Sequence, residues 1–138
     1  MATSVKLSFP STAKVFVQAF SNASFNQQVT VTPPSGAAAQ FTGSGENNAT
    51  QKLTTQGFLT VNAGGQPSFV VPGSAGSTAS YTISVTANGA ASSVMGNLNS
   101  IVTPASGQIL MGMVSSEDSR DEDWNDSVVI FTSYLPPS

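Results

Sequence analysis

The sequence predicts an all-β fold, an antiparallel sandwich or barrel. Three observations carry this. Apolar and polar residues alternate with period two over several short runs, and β-branched residues are plentiful in them. Those runs stop at Gly, Pro, Asn or Ser. No window holds apolar residues at helical spacing over a useful length.

The elements follow in order. Ser4 to Phe9 (S-V-K-L-S-F) alternates and is ended by Pro10. Lys14 to Phe20 (K-V-F-V-Q-A-F) is the second run. Gln28 to Thr32 (Q-V-T-V-T) is the third, stopped by Pro33-Pro34. Gln56 to Asn62 contains F-L-T-V, and Ser68 to Val71 stops at Pro72-Gly73. The small, polar stretch Gly73 to Ala79 reads as a loop between strands. Ser80 to Thr86 (S-Y-T-I-S-V-T) is the cleanest strand, and Asn88-Gly89 after it is a tight-turn signal. Ile109 to Val114 and Ser127 to Tyr134 are the last two strands. Phe9, Phe16, Phe20, Phe58, Phe69 and Phe131 fall in these runs and are expected in the core. No linker divides the 138 residues, so a single domain spanning 1–138 is expected.

Composition removes several function classes. Only 8% of residues are charged, against a usual fraction of about 25%. The surface must then be built from Ser, Thr, Asn, Gln and Gly. There is no Cys and no His. That removes disulfides, thiolate metal sites, the usual zinc ligand and the Ser-His-Asp triad. A net charge of −3 with four Lys and Arg argues against nucleic acid as a partner. No stretch approaches the ~18 apolar residues of a membrane-spanning helix, so no membrane insertion is expected. The start, M-A-T-S-V-K-L-S-F-P, lacks a basic segment followed by an apolar one. The expectation is cytoplasmic accumulation, with release to the cell surface or exterior.

The chemistry concentrates between the last two strands. Six of the seven carboxylates lie in ten residues, Glu117, Asp118, Asp121, Glu122, Asp123 and Asp126, with Arg120 as the one cation among them. Ordering so many like charges in one loop is unfavourable unless something neutralises them. Hard oxygen donors select a hard cation, which makes calcium the first candidate. The run D-x-D-x-N-D from Asp121 to Asp126 starts like an EF-hand loop and then departs from one. Asp126 stands where Gly is needed, Thr132 where a bidentate Glu is needed, and the following residues are strand-like. Five inward acids would over-neutralise one ion, whereas two calcium ions nearly balance them.

The stretch S-E-D-S-R-D-E-D-W-N-D-S-V-V-I resembles the calcium loop of the two-calcium bacterial fucose/mannose-binding lectins, the LecB or PA-IIL type. That family runs S-E-D-G-x-D-x-D-[YW]-N-D into a Val-rich strand. A-F-S-N-A-S at Ala19 to Ser24 and the Asn88-Gly89 turn are also similar to the family. The resemblance implies an antiparallel β-sandwich of about nine strands with the calcium loop between the last strands. It implies that Glu117 and Asp121 chelate one Ca2+, that Asp123 and Asp126 bridge to the second, and that Asn125 and Asn22 help hold that second ion. Vicinal sugar hydroxyls would complete both shells, with Asp118, Asp121 and Ser24 hydrogen-bonding the sugar. Ala23-Ser24-Phe25 matches the family's specificity triplet, and Ala23 in its first place points to mannose over fucose.

Two departures stand out. Ser119 replaces the family's Gly. The family also ends in a Gly whose carboxylate reaches a partner subunit's calcium, whereas here the chain runs on to L-P-P-S. Ser138 would have to supply that carboxylate in a dimer or tetramer. The resemblance makes the protein a binder of mannose- or fucose-containing glycans. The alternative is a calcium-stiffened structural or adhesive sandwich without a sugar site. A glycosidase needs two separated carboxyls, and here only Glu46 lies outside the loop, so no catalytic residue is named.

Overall fold

Two antiparallel sheets stack face to face, and the alternation in sequence is what gives each its buried side. A computed structural model describes residues 2–45, 60–61, 68–103, 107–118 and 123–137. The strands are β1 (Ser4–Pro10), β2 (Lys14–Ser21), β3 (Ala23–Thr32), β4 (Ala39–Gly45), β5 (Thr60–Val61), β6 (Ser68–Val70), β7 (Thr78–Ala87), β8 (Ala90–Ala91), β9 (Ser93–Val102), β10 (Gln108–Glu117) and β11 (Ser127–Leu135). Nine of them are longer than two residues, and no helix occurs among the described residues. One sheet has the order β1-β7-β3-β4-β5, with β8 paired to β7; the other runs β6-β2-β11-β10-β9.

Period-two burial fills the space between the sheets. From β2, Val15, Val17 and Ala19 point inward, while β11 contributes Val129 and Phe131. The other sheet supplies Leu7, Phe9, Val29, Val31, Tyr81, Ile83 and Val85. Phe9 is the aromatic centre, 5.7 Å edge-on from Tyr81 and 5.6 Å from Phe131 across the sandwich. Phe69 stacks on Tyr81 at 4.2 Å and packs against the core without being fully covered.

Phe16 departs from expectation. It is 51% exposed, because the phase that buries Val15 and Val17 turns Phe16 to the outer face. Phe20 shares that phase and is half-buried. Phe58 lies outside the described residues. Two strands were not legible as alternating runs, β4 and β9, together with the short β8.

The Asn88-Gly89 signal forms the turn it suggests. Both residues have positive φ, 48° and 86°, between paired Ala87 and Ala90. Two successive left-handed residues match the right-handed twist of a two-residue hairpin.

Candidate metal centre

The acidic loop joins β10 to β11, which pair along their whole length to Ser116↔Ser127. β2 lies on the other side of β11, with Ser127 opposite Ser21. The chain leaves the five-stranded sheet at Asn22 and enters the other sheet at Ala23. The N–H of Asn22 donates to the Asp126 carbonyl at 3.1 Å. Thus the segment Asn22–Phe25, remote in sequence, is brought to the loop by sheet order.

Three carboxylates converge. Oxygens of Glu117, Asp123 and Asp126 all lie within 4.8 Å of one another. Glu117 and Asp126 are buried, each 6% exposed, and Asp123 is exposed. Main-chain donors hold two of them. The Trp124 N–H donates to Oε2 of Glu117 at 3.1 Å, and the Asp118 N–H donates to Oδ2 of Asp126 at 2.6 Å. Trp124 adopts φ 56°, an unusual conformation for an aromatic residue, and its side chain is half-buried.

Electrostatics mark the same place. Burial pushes the Asp126 carboxyl up to about 7. The Asp118 N–H bond opposes this, and the charges of Asp118, Glu117 and Asp123 add to the rise. The buried Oδ1 of Asn125 has no hydrogen-bond partner among the described residues. Buried oxygens are ordinarily paired, so an orphan acceptor beside crowded carboxylates fits a cation held there. The donor set is all oxygen, as calcium requires.

Sugar-facing candidates are placed as follows. Ser24 and Phe25 are exposed, Ala23 is buried, and Asp118 is half-buried. Asp121, Ser119, Arg120, Glu122 and Ser138 lie outside the described residues.

The structure adds residues that the sequence gave no reason to choose. Gln27 is fully buried at the interface of the two sheets. Its Nε2 donates to Asp118 Oδ2 at 2.8 Å and to the Phe25 carbonyl at 3.4 Å. Its Oε1 accepts from the Ser127 hydroxyl at 3.1 Å. The one available signal was phase: Gln27 stands at the core-facing position of the series that continues to Val29 and Val31. Asn26 exchanges bonds with Asn88, donating N–H to Oδ1 and accepting the Asn88 N–H at its carbonyl, both at 2.9 Å. This clamps a stretch where the β3–β4 register shifts between Ala23 and Gln27.

Solved structures share this architecture. A Ralstonia solanacearum high-affinity mannose-binding lectin is 24% identical, with 96% of both chains covered and a TM-score of 0.69. A Chromobacterium violaceum lectin solved in complex with alpha-methyl-fucoside is 23% identical over 96% of both chains, with a TM-score of 0.63. The C-terminal domain of a Burkholderia cenocepacia lectin is 21% identical, again over 96% of both chains, with a TM-score of 0.66. At these identities the agreement establishes the fold. No curated protein gives a significant sequence match. The family model of fucose-binding lectin II (PA-IIL) matches residues 7–135. The chain belongs to that family of carbohydrate-binding lectins.

Proposed function

We propose that the protein is a calcium-dependent lectin that binds mannose- or fucose-type monosaccharides through two adjacent Ca2+ ions. The observation that carries this is the convergence of Glu117, Asp123 and Asp126, with Asn125, whose buried Oδ1 lacks a partner among the described residues, between the last two in sequence. When bound, calcium supplies coordination positions that two vicinal hydroxyls on a ring can fill. The residues divide the work. Glu117 and Asp121 serve one ion, Asp123 and Asp126 both, and Asn125 and Asn22 the other. Asp118, Asp121 and Ser24 accept hydrogen bonds from sugar hydroxyls, and bonds to an ionised carboxylate are the stronger kind. Ala23 favours mannose.

A homo-oligomer is part of this reading. Phe16, Val70, Ile109, Met111, Met113 and Tyr134 are exposed on the outer side of the five-stranded sheet. A large apolar patch of this kind marks an interaction surface. In such an assembly repeated sites would give avidity for clustered glycans.

Calorimetry with methyl α-mannoside and methyl α-fucoside, in millimolar calcium and again in chelator, tests the proposal. Heat of binding that requires calcium supports it. Calcium binding with no response to either sugar leaves the structural sandwich as the function.

A further inference from the structure

The geometry points to Gln27 as a positioning residue for sugar binding, acting through Asp118. The inference rests on the lectin reading above and adds a residue that belongs to neither the metal nor the sugar contacts. Gln27 comes from β3 in the six-stranded sheet, while both flanks of the acidic loop belong to the five-stranded one. Its amide grips both flanks, Asp118 at the start and Ser127 at the end. It also reaches the Phe25 carbonyl within the exposed Ser24–Asn26 segment.

The chemistry fixes which end of the amide faces which partner. An ionised carboxylate only accepts hydrogen bonds. The atom 2.8 Å from Asp118 Oδ2 must therefore be Nε2. That leaves Oε1 to take the Ser127 hydroxyl. Both Nε2 hydrogens are committed, and the side chain is 0% exposed, so water does not compete for them. A half-buried carboxylate held this way presents a fixed orientation to a ligand. A carboxylate without such a donor rotates, and a sugar must order it on binding.

Two substitutions isolate the effect. Gln27→Met fills the same space without a donor. Gln27→Leu is also uncharged and removes the donor to Asp118 together with the acceptor for Ser127. Each is titrated with calcium, and then with methyl α-mannoside and methyl α-fucoside in saturating calcium. The expected result is retained calcium affinity with a sugar Kd weakened about tenfold or more, as for other residues that orient a ligand-contacting group. Unchanged sugar Kd in a wild-type protein that does bind sugar overturns the role of Gln27 and leaves the lectin intact. A parallel fall in calcium affinity, sugar affinity and Tm also overturns it, because Gln27 would then only be packing. Wild type that binds no sugar fails the lectin proposal instead.

A second measurement needs neither a folded Gln27 variant nor a loaded site. In the metal-free protein the Nε2 protons of Gln27 are expected to exchange slowly, and Asp118→Ala to speed them markedly by NMR. Equal exchange in the two proteins removes the Gln27–Asp118 coupling on which the inference stands.

Discussion

The main-chain N–H of Asp118 donates a 2.6 Å hydrogen bond to Oδ2 of Asp126. The bond closes the acidic loop across eight residues of sequence and holds a carboxyl group that its neighbours repel. A charge-assisted bond to a main-chain donor is among the stronger hydrogen bonds available. Backbone donors thus hold the two buried carboxylates at the described ends of the loop.

The metal-free protein should lose stability as pH rises. Asp126 titrates at about 7 in the folded state against an ordinary value of 3.8. The folded protein thus binds this proton more tightly than the unfolded chain does. The contribution is complete below the ordinary value and lost as pH climbs to about 7. In chelator, Tm should fall across that window. In calcium, which binds the ionised form, the fall should vanish or reverse. Thermal scans at a series of pH values, with and without calcium, check both halves. A metal-free Tm that stays flat across the window contradicts the assignment.

Asp126→Asn separates stability from metal binding. Oδ1 of Asn can still accept the Asp118 N–H, while the repelling charge is gone. Above pH 7 the metal-free variant should be more stable by about 1 kcal/mol or more, because a neutral amide there carries no buried charge for Asp118, Glu117 and Asp123 to repel. Calcium affinity should fall roughly 100-fold or more, since a shared anionic ligand is lost. Denaturant titration and calcium calorimetry measure the two effects. Retained calcium affinity excludes Asp126 as a ligand.

Asp118→Ala should act on sugar rather than metal. Its carboxylate is tied to Gln27 rather than to the cluster of Glu117, Asp123 and Asp126. Loss of a charged acceptor for a sugar hydroxyl should weaken the sugar by about 1.5–3 kcal/mol, with calcium retained. Sugar titration in saturating calcium decides, and an unchanged Kd removes Asp118 from the site.

Asn88→Ala should loosen the recognition segment from a distance. Ala tolerates φ 48° less well than Asn, and the acceptor for the Asn26 N–H disappears. Stability should drop by about 1–2 kcal/mol. Hydrogen exchange at Ser24–Asn26 should speed up, and sugar affinity should weaken with it. Protection unchanged at Asn26 would show that the turn does not hold the bulge.

Much of this was legible in sequence because alternation and acid spacing are local. The runs at Lys14–Phe20, Ser80–Thr86 and Ser127–Tyr134 fall on β2, β7 and β11. β4 was missed because A-Q-F-T-G-S-G carries one large apolar residue and two glycines. β9 was missed because S-V-M-G-N-L-N-S-I-V loses phase at the register shift opposite Met111 and Gly112. Phe16 was misplaced because membership of a strand does not say which face a residue takes. Within the site, the acid spacing marks Glu117, Asp123 and Asp126, whose neighbours are close in sequence. Gln27 was invisible, and Asn88 was read only as a turn, because their partners lie 91 and 62 residues away.

The stretch Ser24–Asn26 sits where the β3–β4 ladder skips, and it is fastened at Asn88 instead. Its exposed side chains share no cross-strand register with β4. Selection can therefore rewrite what this lip of the molecule favours while the sheets beneath keep their pairing. Substitutions at Ser24 and Phe25 would alter the exposed lip without breaking a cross-strand pair of β4.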